Sequence, residues 1–404
     1  MDSPTAKAPE ADGPRSTPDG GLRVLQVGGL AGPGAAAGGV WAVARMQATA
    51  LRGRGDDVEL VGGWLGDNGF APAPQGPDPD EPPTRYFRLR RPFPGAQLRG
   101  LISLHLPRYV AVAAARADVV QVHLSRDFIT TFSTLLLAKR PAVVVAQSHG
   151  MLMPSPALPV RVFDAVLTRR LVRIPRLWLT LTDDEERGLQ QLGVEPQRMR
   201  RVVNAAPAAG PGWSDPHETV FLFAARLSAR KQPMVFARAA LAALDAGLDA
   251  RFVIAGPDQG QAGALRELIA ASPHADRFDL PGELTPGQVR TAMANCTAYV
   301  LPARNEPYPM SVIEAAAAGT PMIITTQCGL SEALRSGRAA VLAEPTVEAF
   351  CAAMLALAAD PQARAGLGSN AKQLHLRLWS ARRLADDLRG HYGEAIGERA
   401  GDRR

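Results

Sequence analysis

The sequence predicts two α/β domains in series, each built on a parallel β-sheet with helices on both faces. Short apolar runs such as LRVLQVG (22–28), AVVVAQ (142–147) and RFVIAG (251–256) alternate with amphipathic, helix-like stretches. Near-continuous apolar strands separated by helices are typical of parallel sheets that are buried on both faces. The alternation stops between Asn204 and Glu218, where Pro and Gly are frequent, and then it restarts.

Changes in composition along the chain define the predicted domains, and we expect a cleft between the two α/β domains. The first twenty residues are rich in Pro, Ser, Asp and Gly and have little to bury, so we expect them to be disordered. The docking site of the last helix stays open, with packing on the first domain as one option. The predicted segments are a tail (1–20), a Rossmann-like acceptor domain (21–203), a linker (204–218), a Rossmann-like donor domain (219–375), a helix (376–396) and a second tail (397–404).

Composition excludes several classes of protein. With 46% hydrophobic and 21% charged residues, the chain has the balance of a soluble globular protein. It has no run of about 20 apolar residues that could span a membrane and no signal peptide, so we expect a cytoplasmic protein. The net charge of +6 is modest for 404 residues and does not indicate nucleic-acid binding. The three cysteines show no spacing that suggests a metal site or a disulfide framework.

The stretch RNEPYPMSVIEAAAAGTP (304–321) contains the first candidate site. It follows a strand-like run, and a helix that opens near Pro309 directs free backbone N–H groups and a positive dipole end at the edge of the sheet. Glu306 precedes this helix and Glu314 lies just over one turn into it. Carboxylates accept hydrogen bonds from sugar hydroxyls, so the pair suits an anionic group flanked by two sugars, as in a nucleotide sugar. A surface glutamate on an Ala-rich packing helix is the alternative interpretation.

The stretch AARLSARKQP (224–233) contains the second candidate site. It follows the first strand of the second domain and carries Arg226 and Lys231, while we expect Arg230 to face solvent. Two cations at the carboxyl end of a strand can neutralise a pyrophosphate and stabilise the charge that builds on it as a sugar departs. A solvated basic turn is the alternative. The two stretches support each other because both follow strands of one sheet.

The order of these motifs resembles that of the retaining glycosyltransferases of family four, which have the GT-B fold. The motifs are ARLSARK (225–231), VIAGPDQG (253–260), NEPYPMSVIEAAAAGTP (305–321) and CGLSEAL (328–334), and the resemblance runs from Leu22 to about Tyr392. It implies that Arg226 and Lys231 hold the donor diphosphate. It also implies that Glu306 contacts the transferred sugar and Glu314 the ribose. Gly256, within the second motif, joins the predicted donor-binding residues.

The first domain matches the family less tightly but in the same order. PGAAAGGVWAVAR (33–45) resembles the family's glycine loop, which implies that the amides of Gly38 and Gly39 approach the diphosphate and the acceptor. QSHGM (147–151) resembles the segment whose histidine, here His149, faces the donor sugar. His123 lies at another strand end and is a weaker candidate. The alternative is that a histidine at a strand end has only a structural role, with its hydrogen bonds made inside the protein.

The sequence departs from the commonest family pattern at two places. Residues 307–309 read Pro-Tyr-Pro where many members have Gly-Phe-Gly, and proline has no N–H to offer a phosphate. Gln232 stands where glycine is usual after Lys231. The amides that remain as predicted phosphate donors near Glu306 are those of Tyr308, Met310 and Ser311.

Two other motifs carry weaker signals. Asp78 and Asp80 form the DxD of metal-dependent transferases, but they lie in a proline-rich loop with no preceding strand, so we expect no metal site. The glycines Gly32, Gly34 and Gly38 hint at a dinucleotide loop, but the last is one residue late and the second strand ends without a ribose-binding acid. A nicotinamide oxidoreductase is therefore the weaker alternative.

A basic stretch over residues 84–116 has no acidic residue and interleaves Tyr86, Phe87, Phe93 and Tyr109 with leucines. Such a pattern fits an anionic membrane face and, equally, a solvated basic surface. A lipid-linked acceptor would agree with the first interpretation. Its arginines are Arg85, Arg88, Arg90, Arg91, Arg99, Arg108 and Arg116.

The sequence thus predicts a retaining transfer of a hexosyl unit from a nucleoside-diphosphate sugar, without metal or cofactor, to a hydroxyl of a glycan, glycolipid or small-molecule acceptor. The predicted catalytic residues are His149, Arg226, Lys231 and Glu306. Glu306 is expected to position the sugar and not to act as a nucleophile. The alternative is a non-catalytic nucleotide-sugar-binding or scaffold protein, for which the missing glycines after Glu306 are the hint.

Overall fold

The computed structural model describes residues 20–31, 38–65, 82–92, 100–206 and 210–401. The chain divides into two compact units: unit 1 comprises the residues up to Val202 together with Ala385–Arg404, and unit 2 comprises Val203–Leu384. Each unit has its own sheet and its own hydrophobic core. The tail predicted over 1–20 lies outside the described residues, apart from Gly20. Within the described ranges, no helix has the length and apolar character needed to cross a membrane.

Unit 1 contains a seven-stranded sheet in which every neighbouring pair is parallel. The strand order is β3-β2-β1-β4-β5-β6-β7, so the direction of winding reverses between β1 and β4. A doubly wound sheet opens a crevice at the carboxyl ends of its strands at such a reversal. The strands are β1 (Arg23–Leu30), β2 (Asp57–Trp64), β3 (Thr84–Arg88), β4 (Val119–His123), β5 (Val143–Gln147), β6 (Leu177–Thr180) and β7 (Met199–Arg201).

Helices cover this sheet and complete unit 1. The central strands β4, β5 and β6 are buried along their whole length, as the apolar runs predict for strands covered on both faces. A π-helical turn (Asp164–Thr168) joins α4 to α5. The helices are α1 (Gly38–Arg52), α2 (His105–Ala113), α3 (Phe128–Leu137), α4 (Leu158–Phe163), α5 (Arg169–Leu171), α6 (Asp183–Gln191) and, from Ala385 onward, α14 (Ala381–Gly401).

Unit 2 contains a six-stranded parallel sheet in the order β10-β9-β8-β11-β12-β13, which reverses between β8 and β11. Its strands are β8 (Val220–Ala224), β9 (Arg251–Ala255), β10 (Phe278–Gly282), β11 (Ala298–Leu301), β12 (Met322–Thr325) and β13 (Val341–Ala343). Its helices are α7 (Pro233–Asp245), α8 (Ala262–Ala270), α9 (Pro286–Ala294), α10 (Met310–Ala318), α11 (Ser331–Ser336), α12 (Val347–Ala359) and α13 (Pro361–Leu378).

Three strands do not appear in the apolar pattern of the sequence: β3, β7 and β10. All three lie at sheet edges, where one flank has no neighbouring strand. Apart from the buried Met199 of β7, their side chains are exposed or half-buried, so an apolar run is neither needed nor present. β10 even contains Pro281, which an edge strand tolerates because its N–H side can lack a partner.

The segment predicted as a linker, 204–218, contains no helix or strand in its described part, but it packs on unit 2. The Trp213 indole Nε1 donates a hydrogen bond to the Cys296 carbonyl at 2.7 Å, and the Trp213 amide donates to the Ala318 carbonyl at 2.8 Å. Asp215 accepts two hydrogen bonds of 2.7 Å from the guanidinium of the buried Arg364. The segment is thus held to the body of the second unit.

The end of the chain differs from the predicted helix over 376–396 and tail over 397–404. Residues 376–378 complete α13, and α14 continues to Gly401. From Ala385 onward α14 belongs to unit 1, where Arg389 lies 3.3 Å from the buried carboxylate of Asp56. Tyr392 donates a hydrogen bond to the side chain of Gln121 in β4. These buried polar contacts fix the helix against the first unit.

The anchoring of residues 204–218 can be tested by replacing Asp215 with alanine. The change leaves the guanidinium of Arg364 buried without its carboxylate, so we expect the free energy of unfolding to fall by about 1–3 kcal/mol. Asp249→Ala removes an exposed ion pair with Arg277 and is the control, expected to change stability by less than about 0.5 kcal/mol. Urea denaturation followed by circular dichroism measures both. Equal effects of the two changes would contradict the anchoring role.

Candidate functional site

The two motifs of the second domain meet at the reversal point of the unit 2 sheet. β8 and β11 are neighbours there. The loop after β8 carries Arg226 and Lys231, and the loop after β11 carries Glu306. Because parallel strands end at the same edge, both loops lie at the position where doubly wound sheets bind their ligands.

A buried ion pair joins these two loops. The Lys231 Nζ lies 3.1 Å from the Glu306 Oε2, and each side chain is only 9% exposed. A guanidinium nitrogen of Arg230 lies 3.2 Å from the same oxygen. The expectation that Arg230 faces solvent is therefore wrong in part: the side chain is 46% exposed, but its charged end contacts Glu306.

The electrostatics of this pair favour an additional anion. Burial lowers the pKa of Lys231 below its ordinary value, the nearby Glu306 opposes that shift, and the positive charges of Arg230 and Arg226 reinforce it. Two cations thus contact the carboxylate of Glu306, and a third, Arg226, lies near enough to act on the charge of Lys231. A bound phosphate would relieve the repulsion among them.

The loop that carries Glu306 is fixed by contacts to the loop after β12. The Glu306 carbonyl accepts a hydrogen bond of 2.9 Å from the amide of Gly329. A Cβ atom at residue 329 would lie 2.0 Å from the Pro307 carbonyl oxygen, so only glycine fits. This close approach sets the position of the carboxylate from the backbone.

Tyr308 and the residues after it form the start of α10. The Tyr308 hydroxyl accepts a hydrogen bond from the Asn204 amide at 3.1 Å and donates one to the Asn204 carbonyl at 3.2 Å. Pro309 precedes the first turn without a side-chain cap. The first amides of a helix have no acceptor within the helix, so those of Met310 and Ser311 stay suited to a ligand. The Tyr308 ring acts as an anchor for this loop.

A cavity of about 170 Å³ opens at the carboxyl ends of β8 and β9. Ser311 and Glu314 of α10 line one side of it, and Arg226 and Gly256 line another. Burial raises the pKa of Glu314, and the positive charge of Arg290 opposes the shift. The lining includes Glu283, which the sequence patterns do not indicate because it follows the polar edge strand β10.

Two backbone positions shape this cavity and its basic loop. Gly256 has φ +143°, and a Cβ atom there would lie 2.0 Å from the Ala225 carbonyl oxygen. Gln232, which stands where the family usually has glycine, has φ 58° and lies in the left-handed region. The backbone conformation that glycine favours is therefore kept despite the substitution.

In unit 1, His149 and His123 form a hydrogen-bonded pair at the carboxyl ends of β5 and β4. The His149 Nε2 and the His123 Nδ1 lie 2.8 Å apart, and the rings stack at 5.0 Å between centroids. The His123 Nε2 lies 3.4 Å from the Gln26 Oε1. With that oxygen as acceptor, His123 carries its proton on Nε2 and accepts at Nδ1 from His149. His149 then presents its Nδ1 as an acceptor.

The loop around His149 is held by the buried carboxylate of Glu185. The Glu185 Oε1 accepts hydrogen bonds from the Ser148 hydroxyl and, at 3.0 Å, from the Gly150 amide. These contacts flank His149, whose φ of 50° is uncommon for a residue other than glycine. Glu185 belongs to the first turn of α6, which Thr182 caps. The sequence shows the helix start but not this second role of Glu185.

Both histidines are held in the neutral form. Burial lowers the pKa of His149 to about 4. Burial and the neighbouring His149 lower the pKa of His123 well below its ordinary value. An imidazole that stays neutral can exchange hydrogen bonds with a sugar hydroxyl but does not supply a positive charge at neutral pH.

The remaining predicted residues divide between described and undescribed parts of the chain. Gly38 and Gly39 are the first two residues of α1, so their amides belong to an unpaired helix start. Residues 32–37, with Gly32 and Gly34, and residues 66–81, with Asp78 and Asp80, lie outside the described residues. Within the described ranges, no three His, Cys, Asp or Glu side chains come close enough together to hold a metal ion.

Two of the aromatic residues of the basic stretch 84–116 are partly buried in unit 1. Phe87 and Tyr109 contact each other with centroids 5.2 Å apart and pack against the core of unit 1. Arg85 lies over the Tyr109 ring and pairs with Glu59 at 3.2 Å. Phe93 and Arg99 lie outside the described residues.

The histidine pair predicts an acid-sensitive unit 1. The pKa values of both histidines are lower in the folded than in the unfolded protein, and that of His149 is about 4, so the unfolded chain binds more protons as the pH falls below about 6.5. Stability is therefore complete above about pH 6.5 and falls with decreasing pH, with a limiting slope of about 1.4 kcal/mol per pH unit for each histidine. Urea unfolding at several pH values measures the slope. We expect His123→Gln with His149→Asn to flatten it and the exposed His217→Gln to leave it unchanged; an unaltered slope in the double variant would contradict the neutral pair.

The wall formed by Gly256 gives a second prediction. Gly256→Ala forces a Cβ atom into the Ala225 carbonyl, so we expect a loss of at least about 1 kcal/mol of stability and a disturbed cavity. Gly263→Ala in α8, where an added Cβ meets no described atom within 4 Å, is the matched control and should be neutral or stabilising by up to about 1 kcal/mol. Thermal unfolding of both variants provides the comparison. Equal stability of the two would show that the close approach is not required.

Two family models match the chain. The glycosyl transferases group 1 model matches residues 213–374, and the glycosyl transferase 4-like domain model matches residues 38–205. The chain is 28% identical over 235 residues to the D-inositol 3-phosphate glycosyltransferase of Rhodococcus opacus, covering 54% of this chain and 52% of that protein. It is 30% identical over 124 residues to the 2-deoxystreptamine N-acetyl-D-glucosaminyltransferase of Niallia circulans, covering 31% and 32%. The match thus spans about half or less of the length of these curated relatives.

Solved structures share the fold over nearly the whole chain. HepE from Anabaena in complex with UDP superposes with a TM-score of 0.70 at 15% identity, covering 92% of this chain and all of that one. Sucrose-phosphate synthase from Thermosynechococcus elongatus gives a TM-score of 0.68 at 18% identity, covering 93% and 100%. Two parallel Rossmann-like sheets, the GT-B likeness and the two matched models together show that this chain belongs to the group 1 glycosyltransferases of family four.

Proposed function

We propose that the protein is a nucleotide-sugar-dependent glycosyltransferase that moves a hexosyl unit to a hydroxyl acceptor with retention of configuration and without a metal ion. Unit 2 binds the donor in this proposal, and unit 1 binds the acceptor. The acceptor is a glycan, a glycolipid or a small molecule. The cytoplasmic location expected from the sequence remains a prediction.

One observation carries the proposal: the Lys231–Glu306 pair with Arg226 and Arg230 at the reversal point of the second sheet. The excess of positive charge in a site with little solvent favours a ligand with at least two negative charges. The start of α10, with the amides of Met310 and Ser311, offers neutral donors to the same anion. A nucleoside diphosphate supplies charge of the right sign in a compact group.

The cavity beside this charged cluster suits the nucleoside part of such a donor. Leu284 and Val289 provide apolar walls, and Glu314 provides a carboxylate that can accept hydrogen bonds from vicinal ribose hydroxyls. Glu306 pairs with Lys231 and Arg230, does not line this cavity, and is proposed to contact the transferred sugar. The two carboxylates thus flank the diphosphate position, as the sequence motif suggests.

The proposed chemistry needs no protein nucleophile. The acceptor oxygen forms a bond to the anomeric carbon while the bond from that carbon to the β-phosphate oxygen breaks. The departing diphosphate gains negative charge, which Arg226, Arg230, Lys231 and the α10 amides stabilise, and its phosphate oxygen accepts the proton of the acceptor hydroxyl. Glu306 balances the charge of Lys231 before the donor binds and positions the sugar afterwards.

His149 is proposed to contact the donor sugar as a neutral hydrogen-bonding residue. Its lowered pKa and the bond to His123 support this role over that of a general acid. HepE from Anabaena was crystallised with UDP and with UDP-glucose, so UDP sugars are the first donors to test. Some relatives are named D-inositol 3-phosphate glycosyltransferases, so a phosphorylated polyol, which offers hydroxyl groups, is the first acceptor to test.

The proposal is tested by measuring sugar transfer and donor hydrolysis by the full chain with a panel of UDP, GDP and ADP sugars. We expect Arg226→Ala and Lys231→Ala to lower kcat/KM by about tenfold to a hundredfold, because each removes a charge-assisted contact to the diphosphate. Glu314→Ala should mainly raise the donor KM. Arg251→Ala is the control, because this exposed arginine begins β9 at the opposite edge of the same sheet.

Unchanged turnover and donor affinity in all three site variants would contradict the donor site. Donor binding by the wild-type protein without any product in mass spectrometry would favour the non-catalytic alternative. NMR of the product gives the anomeric configuration, and an inverted product would exclude retention. Full activity in the presence of EDTA is the result that metal independence predicts.

A further inference from the structure

Exposed apolar side chains are concentrated on one part of unit 1. Ten large hydrophobic residues are exposed in the described chain, and nine of them lie between residues 104 and 166. The tenth, Leu376, lies on α13 of unit 2. Single exposed hydrophobics are ordinary in soluble proteins, but such a concentration in one segment marks an interaction surface.

The clearest apolar row lies along α4 and the π-helical turn. Leu158, Val162 and Val166 are 69%, 54% and 54% exposed. Side chains four residues apart drift by about 40° per step around an ideal α-helix. The wider π-helical turn between Asp164 and Thr168 offsets this drift, so the three side chains stay on one side. We call Leu158, Val162 and Val166 the apolar row.

Two neighbouring helices extend the apolar character. α3 packs against α5 and against α2. Phe132 and Leu136, one turn apart on α3, are 47% and 44% exposed, and Leu104 and Val112 at α2 are each 68% exposed. These helices connect consecutive strands of the parallel sheet in one direction, so they lie on the same face of it.

The charges carried by α2, α3, α4 and α5 are mostly positive. The neighbouring helix α6 begins with four acidic residues, and each of them is used within the protein: Asp183 and Glu186 pair with Arg201, Asp184 pairs with Arg187, and Glu185 holds the loop after β5. Residues 101–182 contain ten Lys and Arg residues but only three carboxylates. Each carboxylate is occupied within the protein: Asp118 pairs with Arg23, Asp127 caps α3, and Asp164 pairs with Arg126. In the described chain no ion pair involves the exposed side chains of Arg161, Arg169, Arg170 and Arg173, which lie on or just after the helices of the apolar row.

Two of these arginines also line a cavity. Arg169 and Arg173 border a space of about 250 Å³ together with Gln190, Gln191, Leu192 and Gly193. Two guanidinium groups and two amides provide several donors for the oxygens of a phosphodiester. The cavity begins three residues after Val166, so a headgroup site would adjoin the apolar row.

We propose that the apolar row and the surrounding arginines form a surface that binds an anionic phospholipid membrane. The apolar side chains enter the interface between headgroups and acyl chains, and the arginines bind lipid phosphates. A second copy of the chain is a poorer occupant, because two such faces would bring like charges together and the cores of protein interfaces are depleted in charge. This surface is distinct from the stretch 84–116, in which Tyr86, Phe87 and Tyr109 pack against cores of unit 1.

The surface is connected to the histidine loop within unit 1. Arg126 donates hydrogen bonds of 2.8 and 2.9 Å to Asp164 in the π-helical turn. The same guanidinium donates to the Met151 carbonyl at 2.9 Å and the Leu152 carbonyl at 3.3 Å, just after His149. A membrane bound at the apolar row would therefore lie beside the loop that we assign to the reacting groups of unit 1.

Vesicle co-sedimentation of the full chain tests the surface directly. The probes are phosphatidylcholine vesicles with and without about 30 mol% phosphatidylglycerol, at about 0.1 M and about 0.5 M NaCl. We expect binding only to the anionic vesicles and weaker binding at the higher salt concentration. Val162→Asp with Val166→Asp should reduce the partition coefficient at least about tenfold, and Arg169→Glu with Arg173→Glu should do the same.

The matched controls are Leu376→Asp, which changes the exposed hydrophobic of unit 2, and Arg238→Glu with Arg266→Glu, which reverses two exposed charges there. All the changed side chains are exposed, so circular dichroism and thermal unfolding should match those of the wild type. The proposal is overturned if the wild type does not bind anionic vesicles, or if the controls lose binding as much as the surface variants. A wild-type dimer that the valine variants convert to monomers, with no vesicle binding, would assign the surface to a second copy instead.

Discussion

The buried pair of Lys231 and Glu306 is the interaction on which the proposed donor site of this glycosyltransferase depends. The Lys231 side chain is only 9% exposed, so burying its ammonium group costs free energy unless a counter-charge is nearby. Removing the counter-charge alone costs more stability than replacing both partners of a buried pair by apolar residues. The two partners come from the loops after β8 and β11, so the pair also links these two loops. Much of the local structure serves to keep Glu306 in place: the close approach at Gly329, and the bonds of Tyr308 to Asn204. The surrounding arginines then leave the site short of negative charge, which a diphosphate would supply.

The two units use equivalent places in their sheets for different chemistry. Both have a reversal in strand order, but the loops at the reversal in unit 2 carry a cluster of cations, whereas those in unit 1 carry the neutral His123 and His149. The imidazoles of His123 and His149 are kept neutral by burial, and the carboxylate of Glu185 is used to hold the loop, not to charge the histidines. This difference agrees with the proposal that the charged diphosphate of the donor binds to unit 2. The neutral hydroxyl group of the acceptor then binds to unit 1.

Much of this architecture is predictable from the sequence because burial on both faces leaves a strong apolar pattern in central strands. The edge strands β3, β7 and β10 escape prediction, since an edge does not require an apolar run. The position of Glu306 and Glu314 around α10 follows from local spacing. Arg230 and Glu185 do not, because their roles depend on residues 76 and 37 positions away in the chain that only the fold brings near. The family's glycines are replaced at residues 307–309 and 232, yet the αL conformation at Gln232 persists, so a sequence departure need not change the backbone.

The most direct measurement of the central claim is the ratio of the affinities for UDP and uridine, determined by isothermal titration calorimetry in the wild type and in Lys231→Met. Because both ligands share the nucleoside, the ratio isolates what the diphosphate gains from the cluster around Lys231. The account predicts that the wild type prefers UDP and that the variant loses about tenfold to a hundredfold of that preference while its uridine affinity is unchanged. The same ratio in both proteins would show that the diphosphate does not bind at the Lys231–Glu306 pair.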